Sequence, residues 1–261
     1  MKRICFLLLT VALLGGCASL GGGTGTPFSP RASSQAVKVA DAAYVSGDYR
    51  QAATLYERAS RKELDSVPAL LGLGRSYIAL GQYVRAGNAL ERAHQLSPRN
   101  VEVLTELGFL SLSRKQPRKA QVFYGDALKI APRNLAALTG KAVSLDFLSE
   151  YAAAQKVYTQ ALKWYPTDFA LLTNYGLSQV LSGQIGAGTR VLEELVRDPV
   201  RGDTVRQNMA LAYVLDGRDA DARAVLDGVL SPDEIEAKIA YYRKIRAAAA
   251  AGKPIGYLVF N

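Results

Sequence analysis

The stretch LSPRN, residues 96–100, recurs with small changes as IAPRN at residues 130–134 and as WYPTD at residues 164–168. Each copy contains a proline, and neighbouring prolines are 34 residues apart: Pro98, Pro132 and Pro166. An alanine lies five residues before each of them: Ala93, Ala127 and Ala161. Because the proline ring cannot continue a helical ladder, the three copies mark the ends of three equivalent helices. The chain is therefore expected to contain a helical repeat of this length.

Small residues and turn signals keep the same interval along the chain. One column of small residues is Gly74, Gly108, Ala142, Gly176 and Ala210, and a second is Ala52, Ala86, Ala120, Ala154 and Ala222. Turn signals keep step with them: Gly47-Asp48-Tyr49, Gly81-Gln82-Tyr83, Ser149-Glu150-Tyr151, Gly183-Gln184-Ile185 and Gly217-Arg218-Asp219. Small residues let two helices approach closely, and larger ones fill the space beside them: Tyr56, Tyr124 and Tyr158.

On these residues the chain resembles the tetratricopeptide repeat family. The resemblance implies an all-α fold, an α-solenoid in which helix–turn–helix repeats form a right-handed superhelix with a C-terminal capping helix. With the small residue of each first helix at position 8, the register gives six repeats: 33–66, 67–100, 101–134, 135–168, 169–202 and 203–236. The repeat domain is accordingly assigned to residues 36–236, and residues 237–261 to the remainder of the capping helix and the tail.

A helix start signal follows the last repeat. Ser231 is the expected N-cap, Pro232 the first helical residue and Glu234 the partner that completes a capping box. Gly252 and Pro254 are expected to end this helix, which would cover the apolar face that a repeat stack leaves open. The tail IGYLVFN, residues 255–261, is apolar, so docking on the last repeats is predicted. Pairing with a strand of a partner is the alternative.

Residues 1–16 have the properties of a signal peptide. Lys2 and Arg3 precede an apolar run from Ile4 to Leu14 that is shorter than the roughly 20 residues of a spanning helix. Leu14-Gly15-Gly16 leads into Cys17 and resembles the lipobox of bacterial lipoproteins, in which the cysteine is acylated and becomes the first mature residue. The alternative is an ordinary cleaved signal with a chance cysteine. The other cysteine, Cys5, lies in the removed leader, which favours lipidation of Cys17.

Residues 17–35 are expected to form a flexible, lipidated tether, since they are rich in Gly, Ser, Thr and Pro. Ala18 follows the cysteine where an Asp would retain a lipoprotein in the inner membrane, so the resemblance implies an outer-membrane anchor facing the periplasm. The formal net charge falls from +9 to +7 when Lys2 and Arg3 leave with the leader. This charge favours anionic headgroups or an acidic partner, whereas export argues against nucleic acid. The densest basic cluster, Arg114 to Lys119, is placed at the turn of the third repeat.

The resemblance also implies a groove lined by positions 2, 5, 9 and 12 of each first helix. From the third repeat onward these positions combine an apolar stripe with hydroxyl and amide groups, which suits a peptide or an amphipathic helix of a protein partner. The predicted groove residues are Thr105, Phe109, Leu112, Thr139, Val143, Asp146, Thr173, Asn174, Leu177, Gln207, Asn208 and Leu211. Burial of position 12 between repeats is the alternative for Leu112 and Asp146.

Asn174 and Asn208 occupy position 6, as do asparagines that hold the peptide backbone in tetratricopeptide domains of the carboxylate-clamp type. The basic residues of that clamp are missing, because the preceding repeat has Ala136 and Gly140. Contact of the asparagines with a peptide backbone is therefore predicted, and capture of a terminal carboxylate is not.

The sequence predicts no catalytic site, metal site or cofactor site. His94 is the only histidine and lies inside a predicted second helix, where packing explains it. With Cys17 acylated, no Cys/His nucleophile pair remains. Zinc-ligand spacing and a phosphate-binding glycine loop are both absent from the sequence. The chain is expected to bind proteins without catalysing a reaction; an enzyme or enzyme subunit is the alternative class.

Residues 205–245, VRQNMALAYVLDGRDADARAVLDGVLSPDEIEAKIAYYRKI, are similar to the end of the TadD-like lipoproteins of Flp (tight adherence) pilus systems. This resemblance implies a pilotin-like scaffold that helps to localise or assemble the pilus secretin. Two other lipidated repeat proteins share nearly every feature: a type IV pilotin of the PilF kind, and an adaptor of the NlpI kind that brings proteases to cell-wall hydrolases.

Overall fold

The computed structural model describes residues 35–62, 65–198 and 200–260. The predicted signal peptide, Cys17 and the tether up to residue 34 lie outside the described residues. The described part of the chain forms 14 helices, so the predicted all-α repeat fold is confirmed.

The first helices of the six repeats are α1 (Gln35–Val45), α3 (Val67–Ala79), α5 (Val101–Ser113), α7 (Leu135–Phe147), α9 (Phe169–Leu181) and α11 (Gly202–Leu215). The second helices are α2 (Tyr49–Lys62), α4 (Tyr83–Leu96), α6 (Pro117–Ile130), α8 (Tyr151–Leu162), α10 (Ile185–Leu195) and α12 (Asp219–Leu226). The capping helix α13 (Pro232–Ala250) and the short helix α14 (Gly256–Val259) follow. These helices form two compact units, one ending at Leu171 and the other beginning at Leu172.

The LSPRN stretch ends one helix and begins the next. Helix α4 ends at Leu96, and the Asn100 Oδ1 atom accepts hydrogen bonds from the backbone N–H groups of Glu102 (3.0 Å) and Val103 (3.1 Å). Asn134 caps α7 in the same way at 2.8 Å, and Asp168 caps α9 at 2.8 Å. These bonds satisfy N–H groups that have no partner within their own helix. Each proline-containing copy is therefore a combined stop and start signal.

The turns inside the repeats need a left-handed residue. Four of the six turns place a glycine there, with φ between 70° and 87°: Gly47, Gly81, Gly183 and Gly217. The other two place Lys115 (φ 56°) and Ser149 (φ 62°) at the equivalent position. A side chain in this conformation is unfavourable, which explains the preference for glycine in the other repeats.

The core of the first unit consists of tyrosine rings that pack on glycines and alanines. Tyr56 is buried against Gly72 of the following repeat, where an added Cβ atom would lie 2.2 Å from the tyrosine Cζ. Tyr124 packs in the same way on Gly108 and Gly140. The predicted alanine columns are fully buried: Ala52, Ala86, Ala120, Ala154, Ala93, Ala127 and Ala161. A large ring beside a missing side chain fills the interior without a cavity.

The second unit ends in the predicted capping helix. Its first turn has the predicted capping box: the Ser231 backbone N–H donates to Glu234 Oε2 at 2.9 Å, and the Ser231 hydroxyl donates to the same oxygen at 2.7 Å. Ion pairs join α13 to α12, since Asp219 contacts Arg243 (2.5 Å) and Arg246 (3.1 Å).

The apolar tail docks within the second unit. Ile255 and Val259 are buried, and the Tyr241 hydroxyl donates a 2.5 Å hydrogen bond to the Leu258 carbonyl. The tail therefore packs with the capping helix of its own chain. Among the described helices, none combines the length and the apolar character that crossing a bilayer requires.

Candidate functional site

The first helices of the first unit form one face. Helices α1, α3, α5 and α7 pack against each other in succession. Their buried side is directed at the second helices. The side chains that reach the opposite surface include Glu102, Glu106, Phe109 and Thr139, at positions 2, 6, 9 and 5 of their repeats. This first-helix face is the part of the unit to which the sequence assigned the groove.

A charged network crosses the first-helix face between consecutive repeats. Arg75 on α3 donates from Nε to Glu106 Oε1 on α5 at 2.7 Å, and its Nη2 lies 3.6 Å from Glu102 Oε2. The side chains of Arg75 and Glu106 are only 22% and 18% exposed, whereas that of Glu102 is 42% exposed. On α1, Asp41 accepts a 2.5 Å hydrogen bond from the Tyr56 hydroxyl. The network carries three carboxylates and one guanidinium group, so this part of the face is acidic.

The two tyrosines of this network stay protonated. Burial and, to a smaller degree, the nearby Glu106 carboxylate raise the pKa of Tyr44, which lies on α1, to about 12. Burial and the hydrogen bond to Asp41 raise the pKa of Tyr56. Because the phenolate form is disfavoured in both cases, these hydroxyls act as neutral hydrogen-bond groups at neutral pH. The two hydroxyls therefore contribute hydrogen bonds to the network, and neither is a phenolate at neutral pH.

The predicted groove residues divide into two sets by burial. Four are half-buried and reach the surface: Phe109, Thr139, Asn174 and Gln207. Eight are buried: Thr105, Leu112, Val143, Asp146, Thr173, Leu177, Asn208 and Leu211. Phe109 packs on the core with part of its ring exposed, one turn beyond Glu106 on α5. In the first unit, Phe109 and Thr139 are therefore the predicted residues that a partner could touch without rearrangement.

The placement of Asp146 in the groove is wrong. Its carboxylate has no exposed surface, and its Oδ2 atom accepts a 2.9 Å hydrogen bond from the Tyr158 hydroxyl. Leu112, at the same register position, is also buried. In these two repeats position 12 is therefore buried, and Asp146 is bonded to the second helix of its own repeat.

The capping helix occupies part of the predicted groove in the second unit. Gln207 on α11 accepts two hydrogen bonds from α13, one from Lys238 Nζ to its side-chain oxygen (2.7 Å) and one from the Tyr242 hydroxyl to its carbonyl (3.2 Å). Burial lowers the pKa of Lys238 and raises that of Tyr242. The amide of Gln207 is therefore used inside the unit, which corrects its assignment as a free partner-binding group.

The two asparagines at position 6 differ in exposure. Asn174 is half-buried and Asn208 is buried. The equivalent residue of the fourth repeat, Gly140, lies against the ring of Tyr124, where an added Cβ atom would be 2.2 Å from Cζ. A lysine or arginine of a carboxylate clamp could not occupy residue 140 without moving that ring. The packing thus gives a physical reason for the missing basic residue.

Glu102 and Glu106 lie on the first-helix face but were not predicted from the sequence. Their repeat positions could have indicated this, since they stand at positions 2 and 6 of the third repeat.

The basic cluster from Arg114 to Lys119 lies where it was predicted, at the turn between α5 and α6, with its four charged side chains exposed. His94 is half-buried and packs edge-to-face on Phe123, with ring centroids 6.3 Å apart. Within the described ranges, no three His, Cys, Asp or Glu side chains are placed to hold a metal ion.

Comparisons with known proteins agree with this architecture. Three family models described as tetratricopeptide repeat match residues 38–101, 77–143 and 135–168. Together these matches span residues 38–168, half of the chain. No curated protein matches the sequence.

Solved structures share the fold at low sequence identity. PilW, a widely conserved type IV pilus biogenesis factor, is 18% identical, with 77% of this chain and 97% of that chain covered and a TM-score of 0.68. A tetratricopeptide repeat protein from Parabacteroides merdae is 21% identical, with 82% and 88% covered and a TM-score of 0.65. PilF from Pseudomonas aeruginosa is 18% identical, with 74% and 88% covered and a TM-score of 0.56. At these identities the likeness concerns the fold.

Proposed function

We propose, from the premise that this chain belongs to the tetratricopeptide repeat family, that it is a non-catalytic scaffold that binds protein partners during the assembly of a pilus. In this proposal a lipid on Cys17 holds the protein at the periplasmic side of the outer membrane. Partners bind to the first-helix faces, and the binding itself positions them for assembly.

The observation that carries the proposal is the first-helix face of the first unit. It combines a partly exposed aromatic ring, Phe109, with the hydroxyl of Thr139 and the charged groups of Glu102 and Glu106. An apolar anchor point surrounded by polar groups is the arrangement that binds peptides or amphipathic helices. The tyrosine hydroxyls beside it are neutral, so the face offers contacts and no activated nucleophile.

The Flp (tight adherence) system is the proposed setting. Residues 205–245, which resemble the end of TadD-like lipoproteins, form α11, α12 and the greater part of α13. We propose the secretin of that system as the partner. Crosslinking in membranes with the lipidated protein as bait tests this: recovery of the secretin above a Cys17→Ser control supports the proposal, and recovery of no pilus component contradicts it.

A type IV pilus is the second candidate setting. The fold likeness to PilW, a type IV pilus biogenesis factor, favours this alternative. The same crosslinking experiment separates the two settings, because the recovered secretin belongs to one system or to the other. Genes for a secretin and pilus ATPases beside this gene would identify which system the cell assembles.

The binding face is tested with one substitution and a matched control. Thr139→Arg places a large cation on the first-helix face, whereas Thr159→Arg places the same side chain at an exposed position of α8. We expect Thr139→Arg to weaken partner capture at least about tenfold and Thr159→Arg to leave it unchanged. Equal capture by both variants would show that partners use another surface.

The lipid anchor is tested by fractionation. At a salt concentration that screens charge-dependent membrane binding, we expect the wild-type protein in the outer-membrane fraction and the Cys17→Ser variant in the periplasmic fraction, with unchanged helicity and partner capture in solution. A Cys17→Ser variant that still fractionates with the outer membrane and supports pilus assembly would contradict the anchor. Purified protein that hydrolyses peptidoglycan or peptides, with activity lost by no variant of the first-helix face, would contradict the scaffold.

A further inference from the structure

The first unit separates its charges between its two sets of helices. The second helices α2, α4, α6 and α8 carry ten basic and three acidic side chains, whereas the first helices α1, α3, α5 and α7 carry three basic and four acidic ones. All ten basic side chains of the second helices are exposed: Arg50, Arg58, Arg61, Lys62, Arg85, Arg92, Arg118, Lys119, Lys129 and Lys156. We call the solvent-facing side of these four second helices the basic face.

A favourable interaction with the helix dipole does not explain the positions of several of these cations. Arg50 lies in the first turn of α2, and Arg118 and Lys119 lie in the first turn of α6, and neither turn contains an acidic residue. A helix N-terminus carries partial positive charge, so cations there are unfavourable for the helix. Sequences that break a local rule without a local gain do so mainly at functional sites.

Internal ion pairs do not explain them either. Arg85, Arg92 and Lys129 each have a carboxylate partner, with nitrogen–oxygen distances of 2.6 Å to 2.8 Å. In contrast, the ion pairs formed by the described residues include none for Arg50, Arg118, Lys119 or Lys156. The turn before α6 adds two further exposed cations, Arg114 and Lys115. This part of the surface thus has an excess of positive charge that the chain does not neutralise.

Exposed valines lie among these cations. Val84, in the first turn of α4, is 71% exposed, and Val122 on α6 is 61% exposed. Val84 occupies the same repeat position as Arg50 and Arg118, and Val122 follows Arg118 and Lys119 by one helical turn. The Arg114 guanidinium reaches towards Gly87, one turn after Val84. A surface that combines cations with small apolar side chains can bind a charged headgroup layer. The cations contact the headgroups, and the apolar side chains enter the upper part of the layer.

We infer that the basic face binds a membrane surface rich in anionic phospholipids. Phosphate headgroups match the unneutralised cations, and the partial positive charge at the starts of α2, α4 and α6 adds to the same field. In this orientation the first-helix face, whose basic and acidic side chains nearly balance, stays open to protein partners. The inference does not rest on the lipid anchor, because it concerns residues of the folded first unit alone.

The test uses the full chain with Cys17→Ser, so that no acyl chain contributes. Binding is measured by cosedimentation with vesicles of phosphatidylcholine mixed with phosphatidylglycerol, and with vesicles of phosphatidylcholine alone. We expect binding to the anionic vesicles to exceed binding to the neutral ones and to weaken as salt is raised. Equal binding to both would mean that the leader or another apolar segment accounts for it, which would overturn the inference.

Two charge-reversal variants locate the surface. The test variant carries R50E, R118E, K119E and K156E, all on the basic face. The control variant carries R190E, R197E, K244E and K253E, four exposed residues of the second unit. Both variants change the net charge equally. We expect the test variant to bind the anionic vesicles at least about a hundredfold more weakly, and the control variant to lose less than about threefold.

Several outcomes would overturn the inference. Equal losses in both variants would indicate a general effect of net charge, and no loss in either would exclude the basic face. Competition by inorganic phosphate, but not by chloride at the same ionic strength, would indicate a single phosphate pocket. Capture of an acidic protein with no vesicle binding would identify a different class of partner.

Folding of the test variant is checked by circular dichroism. Three of its new carboxylates lie in first turns, where acidic side chains stabilise a helix, so the fold is expected to persist. A milder variant with Gln at the same four positions keeps the test decisive if the Glu variant does not fold, and it is expected to lose at least about tenfold in vesicle affinity.

Discussion

The hydroxyl of Tyr158 donates a 2.9 Å hydrogen bond to Asp146 Oδ2, and neither residue has any exposed surface. The same pair of residue types joins the helices of the first repeat, where Tyr56 donates to Asp41 at 2.5 Å. In each case the tyrosine lies on the second helix and the aspartate on the first. A buried carboxylate is tolerated because it is hydrogen-bonded. Tyr56 and Tyr158 thus stabilise these two helix pairs by polar as well as apolar contact.

We expect Tyr158→Phe to lower the free energy of unfolding by about 1–3 kcal/mol, because the buried Asp146 carboxylate loses a donor. Urea unfolding followed by circular dichroism measures the change. Tyr257→Phe is the control, since Tyr257 is 49% exposed, and it is expected to change the stability by less than about 0.5 kcal/mol. Equal effects of the two substitutions would show that the buried hydrogen bond does not contribute.

The contact between Tyr124 and Gly140 leads to a second prediction. In Gly140→Ala the new Cβ atom would lie 2.2 Å from the tyrosine Cζ, so the ring must move, and a loss of about 1–3 kcal/mol is expected. Gly125→Ala on α6 is the matched substitution, because nothing lies within 4 Å of its added Cβ atom. It is expected to raise the stability by up to about 1 kcal/mol through helix propensity. Thermal unfolding of both variants gives the comparison, and a neutral Gly140→Ala would contradict the packing argument.

The ion pair between Arg75 and Glu106 should behave as a coupled unit. Arg75→Gln leaves Glu106 and Glu102 facing each other without their shared cation, so a loss of about 1–3 kcal/mol is expected. Adding Glu106→Gln to that variant should restore part of the loss, because it removes the repulsion. A double-mutant cycle by urea unfolding measures the coupling.

The same cycle with Glu102 is the internal control. Glu102 is more exposed than Glu106 and lies 3.6 Å from the guanidinium, so its coupling to Arg75 is expected to be the smaller of the two. Additive effects of Arg75→Gln and Glu106→Gln would mean that the two side chains do not stabilise each other.

The link between α12 and the capping helix should depend on pH. The hydrogen bond from Arg243 holds the pKa of Asp219 below its usual value, and Arg246 adds to the effect. A carboxyl group with a lowered pKa in the folded state stabilises that state above its unfolded pKa of about 3.9 and loses the contribution as the pH falls further. Asp219→Asn should therefore lower the stability by no more than about 1 kcal/mol at pH 7.

This difference between the wild type and Asp219→Asn should shrink as the pH is lowered through the carboxylate range. Asp227→Asn, which changes an exposed aspartate near the end of α12, is the control for the removal of one surface carboxylate at pH 7. A difference that stays constant down to low pH would assign the effect of Asp219→Asn to lost packing and not to the ion pairs.

The helical repeat could be predicted from the sequence because the residues that specify it act locally. The prolines, the capping residues Asn100 and Asn134 and the turn glycines each act on the chain within a few residues of themselves. The capping box at Ser231 and Glu234 was predictable for the same reason, and the structure confirms it.

The binding face was harder to predict, because exposure depends on contacts between repeats. Asp146 and Phe109 are both assigned to the groove by their register position, yet one is fully buried and the other is half-exposed. The two residues stand at different register positions, 12 and 9, and the Tyr158 hydroxyl satisfies the buried carboxylate of Asp146. The hydrogen bonds from the capping helix to Gln207 likewise depend on how α13 packs on α11. Such contacts join distant parts of the chain and have no local signal.

The docked tail also affects the order in which the protein is made. Ile255 and Val259 are buried, and Leu258 accepts the hydrogen bond of Tyr241, but the ribosome adds these residues after the capping helix that they contact. The helix pairs of the first unit become complete one after another as the chain grows, so that unit can assemble during synthesis. The second unit can be finished only after the codons for residues 255–259 have been translated. A premature stop codon before residue 255 would consequently leave the first unit intact and the second without its closing contacts.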